Sequence, residues 1–322
     1  MAMPQDPAHA AELLTLALAQ PMPTDTRVAV LMALAQVHEL AGDFIACARV
    51  ADEALITCDP LRSERHRHRI VAQRAWAWAL LDRTREAEEE ALHLLRASEH
   101  RIEPARRATL HLLLGFVALH LGEVRRSYHS ILTAWEATSG AASPMWRSVV
   151  QRSLADTLLD GEAWVAVPEA VAALDLNDTS LSRDSSLTAI RWRALLAQAA
   201  GDSEGAARML ERGREALRHT SDRIEIARYL HHLGIAELGS GPSRARAAID
   251  ALDQALARFG PEGTGYFRAE SHLARARAAL LIDAREAALR DLDEAVELAR
   301  RLQCRRTLGS ALRERAALHL RG

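Results

Sequence analysis

Helix-breaking turn signals recur along this chain at a nearly constant interval, and that spacing limits its fold more than any other property. They fall at Gly42-Asp43, Asp82-Arg83, Gly122-Glu123, Gly161-Glu162, Gly201-Asp202, Gly241-Pro242 and Asp283-Ala284, so successive turns are 40, 40, 39, 40, 40 and 42 residues apart. A period of this size marks a solenoid, whose units cannot bury an apolar face alone and stack on their neighbours. Two compact domains, the ordinary expectation for 322 residues, are not punctuated in this way.

Residue size follows the same count. Seven positions before each turn stand Ala35, Ala75, Gly115, Leu154, Ala194, Gly234 and Ala276, small in all but one case. Five positions after it come Cys47, Ala87, Ser127, Ala166, Ala206 and Ala288. In the sixth unit Gly239-Ser240-Gly241-Pro242-Ser243 lengthens the turn, and Ala248 takes the small station two residues late. Twelve after the turn, Ala54, Ala134, Ala173 and Ala295 repeat the theme, with Ala255 after the same slip and Leu94 and Gly213 as departures. Small residues at fixed stations let neighbouring helices cross at short interaxial distance.

In these residues the chain resembles the tetratricopeptide-repeat (TPR) family. Leu114-Gly115 and Leu233-Gly234 match the family's Leu-Gly pair, while Ala206 with Leu210, and Ala248 with Leu252 and Ala255, match its second helix. The resemblance spans about residues 26 to 303. It implies an all-α superhelical solenoid of about seven antiparallel helix pairs with an extra helix at each end. The family's common unit is shorter, and units near forty residues are similar to those in the sensor regions of bacterial maltose-activator-type transcription regulators.

Caps and periodicity predict a capping helix near 7–20 within residues 1–25, ended by Pro21 and Pro23. Paired helices follow at 26–41 with 44–58, 62–81 with 84–98, 103–121 with 124–138, 144–160 with 163–175, 184–200 with 203–219, 222–239 with 243–259, and 265–282 with 285–303. Residues 304–322 supply a second capping helix, with Arg305, Arg306, Arg313 and Arg315 as the polar face a solenoid end needs. In the fourth unit Pro168 and the loop Asn177-Asp178-Thr179-Ser180 predict a kink or a short helix.

Composition narrows the chemistry. All 41 basic residues are arginine, which removes Walker A phosphate loops and lysine Schiff bases. A formal charge of −2 gives no support to general polyanion binding. Cys47, Cys58 and Cys304 have no paired metal spacing, as expected of a reducing cytoplasm. No stretch suits a signal peptide or a membrane span. The chain is therefore expected to be cytoplasmic, without cofactor or membrane contact.

Candidate motifs each have a simpler reading. Gly260-x-x-Gly263-x-Gly265 lies between two helices with no preceding strand, so it reads as an inter-repeat turn. His66-Arg67-His68 and His231-His232 are too close in sequence to converge on one ion from a helix. Glu64 and His68 fit a helix-surface pair, and Glu88, Glu89 and Glu90 a solvated face. The basic run Arg62, Arg65, Arg67, Arg69 and Arg74 carries one acid, Glu64, but has no groove-reading element or interleaved aromatics. Direct nucleic-acid binding is not expected.

The TPR resemblance implies that the first helix of each pair lines a concave groove. Its register selects Met32, Gln36, Glu39, Arg69, Trp76, Leu112, Phe116, Leu119, Gln151, Arg191, Gln198, Arg228, His231 and Arg277. Two outcomes stay open for Arg191, Arg228 and Arg277: they bind a carboxylate or phosphate of a ligand, or they pair with acids of neighbouring helices. Trp76 and Phe116 would anchor an apolar group. The leading expectation is a non-catalytic scaffold binding a protein, a peptide or an acidic small effector, as the sensor or docking part of a bacterial transcription regulator. A peptide-sensing receptor that changes pitch or forms a homodimer is the alternative. An enzyme ranks third, since no perturbed titrating cluster is visible in the sequence.

Overall fold

The computed structural model describes residues 7–58, 64–97, 102–138, 187, 190–191, 193–195, 197–198, 200–218, 223–260 and 264–320. The fourth unit, with Gln151, Leu154, Gly161, Ala166, Pro168 and Ala173, lies outside these residues, as does Arg62. The helices are α1 (Pro7–Leu18), α2 (Thr24–Leu40), α3 (Phe44–Thr57), α4 (Glu64–Leu80), α5 (Thr84–Ala97), α6 (Pro104–His120) and α7 (Val124–Thr138). The described residues between 187 and 198 are helical. Then follow α8 (Ser203–Leu217), α9 (Arg223–Gly239), α10 (Ala245–Phe259), α11 (Gly265–Leu281), α12 (Arg285–Arg301) and α13 (Arg305–Leu320). There is no strand among the described residues. The expected all-α TPR-like solenoid is the fold observed.

The contacts fall into two units, Met1–Val117 with Ser127–Val150, and Ala118–Arg126 with Gln151–Gly322. Within the first, α2 packs on both α3 and α4. Within the second, α9 packs on α10 and α11, and α11 on α12 and α13. First helices therefore touch first helices across a repeat, while each also touches its own second helix. The N-terminal helix α1 lays Ala11, Leu14 and Leu18 against the core formed by Val28, Leu31, Ala35, Cys47 and their neighbours.

One backbone device makes the turns. At the first, the Asp43 N–H donates to His38 O at 2.9 Å and the Gly42 N–H to Glu39 O at 3.0 Å, the two bonds of a Schellman motif. The same pair closes the turns at Asp82, Gly122, Gly201 and Asp283. The motif needs a left-handed residue, and φ is +75° at Gly42, +64° at Asp82 and +57° at Asp283. Aspartate tolerates that region better than most side chains. Asp43 and Asp202 then cap α3 and α8 by accepting from the N–H groups of Ala46 and Gly205. At the sixth turn Pro242 has no N–H to close the outer bond. The chain makes a 3-10 turn at Pro242–Arg244 instead, and α10 starts later, which is the physical cause of the two-residue slip. Gln303, at φ +58°, builds the same motif before α13, its sixth instance among the described residues and a turn the sequence did not signal.

The small stations are where helices meet. Ala35, Ala75, Ala194 and Ala276 before the turns, and Cys47, Ala87, Ser127, Ala206, Ala248 and Ala288 after them, have no exposed surface. A Cβ on Gly115 would lie 2.4 Å from Ile131 Cγ1, and one on Gly234 2.5 Å from Leu252 Cγ. The departure at Gly213 has the same cause, because Tyr229 fills the space that a side chain there would need, with its Oη 2.1 Å from the position of a Cβ.

Charge also bridges the repeats. Arg74 donates from Nη1 to Asp52 at 2.7 Å and from Nη2 to Glu90 at 2.6 Å. Arg275 repeats this arrangement: its Nη1 bonds Asp253, and its Nε and Nη2 hold Asp291 at 2.9 and 2.5 Å. In both, the acids stand twenty-two residues before and sixteen after the arginine, on the preceding second helix and on its own. Arg315 keeps the first half, bonding Asp293 at 3.0 Å. These contacts correct two expectations: Glu90 does not lie on a solvated face, and Arg74 is not a member of a free basic run. Arg306 likewise turns inward, donating to Tyr266 Oη at 2.8 Å rather than forming a polar end face.

Two outcomes follow. Gly234→Ala should lower stability by about 1–3 kcal/mol, seen as a lower urea midpoint with unchanged slope. Burial pushes the Asp291 carboxyl up, but hydrogen bonds from His272 and Arg275 and the Arg275 charge outweigh it and hold it below 3.8. Its stabilisation is therefore full above about pH 4 and is lost as pH falls through the depressed value. Asp291→Asn should lower stability at neutral pH and flatten the acid limb of a urea-midpoint against pH profile.

Candidate functional site

The predicted groove residues divide sharply when their surroundings are read. In the first unit Gln36 and Arg69 are exposed on α2 and α4. Trp76 on α4 and Phe116 on α6 are half-buried and in ring contact, centroids 5.3 Å apart and planes tilted by 57°. Their numbers differ by 40, so one register position of successive first helices supplies both rings. Met32, Leu112 and Leu119 are buried, which corrects their assignment to a ligand-facing surface; they belong to the packing between helices. Glu39 accepts from Gln73 Nε2 at 3.4 Å. Burial raises its carboxyl pKa, and that hydrogen bond offsets the rise only in part.

In the second unit the first helices carry a polar layer instead. Arg191 is fully buried, with Nε 3.4 Å from Glu225 Oε1 and Nη1 3.5 Å from His232 Nε2. An arginine only donates, so His232 Nε2 accepts. Glu225 also stands 3.8 Å from Arg228, whose guanidinium lies 5.1 Å over the Phe267 ring. Arg277 is exposed and donates from Nε to Glu314 at 2.7 Å. Arg191 and Arg277 thus pair with acids of neighbouring helices, Glu225 and Glu314, while the acid beside Arg228 is on its own helix. Gln198 is half-buried, and Gln151 lies outside the described residues.

His231 is buried and faces Ser271, Nδ1 to Oγ 2.8 Å. A histidine beside a serine has the composition of a nucleophile and its base. Here Ser271 has no exposed surface and His231 only 4%, so no substrate reaches the hydroxyl. The pair joins α9 to α11. Around it Phe267 makes edge contacts with His231 and Tyr266, and Tyr266 stacks on His120 at 5.1 Å. Residues 231 and 271, like 266 and 306, are forty apart. Ser271, Tyr266 and Phe267 were missed in the sequence, where comparing positions forty apart, 231 with 271 and 266 with 306, would have pointed to the first two.

The other motifs keep their simpler readings. Gly260 ends α10 and Gly265 begins α11, with helices on both sides. Glu64 and His68 form a 3.8 Å pair one turn apart. Among the described residues no group of three or more His, Cys, Asp or Glu could hold a metal ion. No helix among them is long and apolar enough to cross a membrane.

No family model matches the sequence, and none of the curated proteins does. Solved structures do match in shape. A Rap protein crystallised with competence and sporulation factor superposes with a TM-score of 0.56 at 11% identity, over 98% of each chain. A tetratricopeptide repeat protein from Parabacteroides merdae gives 0.49 at 12% identity, over 88% of this chain and 98% of that one. The fold is TPR-like. At such identities the likeness is one of fold alone.

The three thiols test how closed the packing is. Cys47, Cys58 and Cys304 are buried, and burial together with Glu39 and Asp43 pushes the Cys47 thiol up to about 12. Burial raises Cys304 as well. The native protein should react with Ellman's reagent at pH 8 at less than about a hundredth of the rate of the urea-unfolded chain, since the thiolate is the nucleophile.

Proposed function

We propose that this chain is a non-catalytic TPR-like scaffold that holds a protein or peptide partner on the first-helix faces of its repeats. The Trp76–Phe116 pair carries the reading. It places two half-buried aromatic rings in contact on successive first helices, where the neighbouring Met32 and Leu112 are buried. Aromatic anchors of this kind dominate binding energy when a partner covers them. Gln36 and Arg69 supply polar groups to the same unit's first helices, and Gln198, Arg228 and Arg277 to those of the other. Arg191 and His231 support from behind, because their side chains are buried. Gln151 completes the set by register.

An acidic small effector is a narrower version, in which its carboxylate competes with Glu225 and Glu314 for Arg228 and Arg277. The likeness over full length to a Rap protein solved with competence and sporulation factor favours a peptide over a small molecule. The length of the units supports a place in the sensor or docking part of a bacterial cytoplasmic transcription regulator.

The test is affinity capture from the native cytoplasm with the wild type and with Trp76→Ala/Phe116→Ala. The proposal expects a partner retained by the wild type and recovered at least tenfold less by the variant, with the variant's helical circular dichroism unchanged. Equal recovery of the same proteins by both would remove the aromatic pair from the binding surface.

A further inference from the structure

The arginine bridges between repeats divide their contacts in a consistent way. The acid on the arginine's own second helix is largely buried: the side chain of Glu90 is 19% exposed and that of Asp291 6%. The acid on the preceding second helix stands in water: Asp52 is 50% exposed, Asp253 51% and Asp293 57%. Arg275 is the clearest case. Two of its nitrogens grip Asp291, whose Oδ1 also meets His272 Nδ1 at 3.0 Å, which leaves Nη1 aimed at Asp253. Arg74 is fixed likewise by Glu90, and its guanidinium lies 4.4 Å over Trp78.

Each bridge thus has a fixed end and an open end, and the open end crosses the joint between two repeats. Charges in water are screened by salt, and buried pairs far less. Opening the outer pair leaves the arginine in place and the alanine contacts closed, since Ala255, Ala276, Ala288 and Ala295 are fully buried.

We propose that Asp253–Arg275, with Asp52–Arg74 as its counterpart, is a salt-releasable latch that sets the angle at which one repeat stacks on the next, Asp291 and Glu90 being the fixed anchors. The latch makes the pitch of the array respond to ionic strength and to any acidic group that displaces the outer aspartate. This inference stands on the bridge geometry and holds whether or not the aromatic pair binds a partner.

The test uses the full chain with spin labels at the exposed positions Arg246 on α10 and Glu297 on α12. Distance distributions are compared at about 0.01 M and 1 M salt, where the screening length falls from about 30 Å to about 3 Å. The wild type should give a narrow distribution at low salt that broadens or shifts at high salt. Asp253→Asn, a change at an exposed carboxylate, should give the high-salt distribution at both concentrations. Glu204→Gln, which removes an exposed pair inside α8, should respond to salt as the wild type does. The latch is refuted if Asp253→Asn keeps the wild-type low-salt distribution and salt response, or if Glu204→Gln abolishes that response equally.

Discussion

Close crossing of helices at alanine and glycine is the constraint on which this structure depends. Each repeat buries little volume of its own, so its stability comes from how near its two helices approach each other and the next pair. Where a Cβ on Gly234 would meet Leu252, or one on Gly213 would meet Tyr229, the room for one side chain has been made by deleting another. Packing at such density leaves little slack, since interiors tolerate neither voids nor overlap. The stations cannot drift without opening a gap somewhere, and the forty-residue count follows from that.

On this apolar frame the polar groups do separate work in the two units. In the second, Arg191, Glu225, His232, His231 and Ser271 tie successive first helices together from inside. Burying such groups is costly unless they meet each other, and a chain that has met that cost gains orientation specificity more than raw stability. In the first, Trp76 and Phe116, each six residues before its turn, are half-buried and touch ring to ring. First helices thus carry a buried polar layer in one unit and a half-buried aromatic pair in the other.

The sequence revealed what the backbone demands and hid what the side chains do across long separations. Turns were legible because a left-handed residue and a Schellman bond favour Gly or Asp, and the helix pairs because small stations recur at fixed distances from those turns. Gln303 escaped notice because glutamine carries no such signature, although it adopts the same conformation. Arg74 read as one of a basic run because a local charge count cannot see Asp52 and Glu90 arriving from two other helices. For Arg191 the sequence left two outcomes open for the same reason: Glu225 is thirty-four residues away, and only the folded register brings them together. The aromatic pair was found as two separate anchors, and the structure made them one feature.

The sixth turn has a consequence for how such a chain changes length. Gly241-Pro242 adds two residues, and Ala248 and Ala255 still arrive buried at their places. The stacked helices thus keep their alignment by meeting one another in space, and the number of peptide bonds between them matters only through the turn. Insertions and deletions are absorbed there, as a hinge absorbs a thicker leaf, while a single residue added inside a helix would rotate every later contact by about 100°. That geometry leaves the ends of the helices as the places where a change of length disturbs the stacking least.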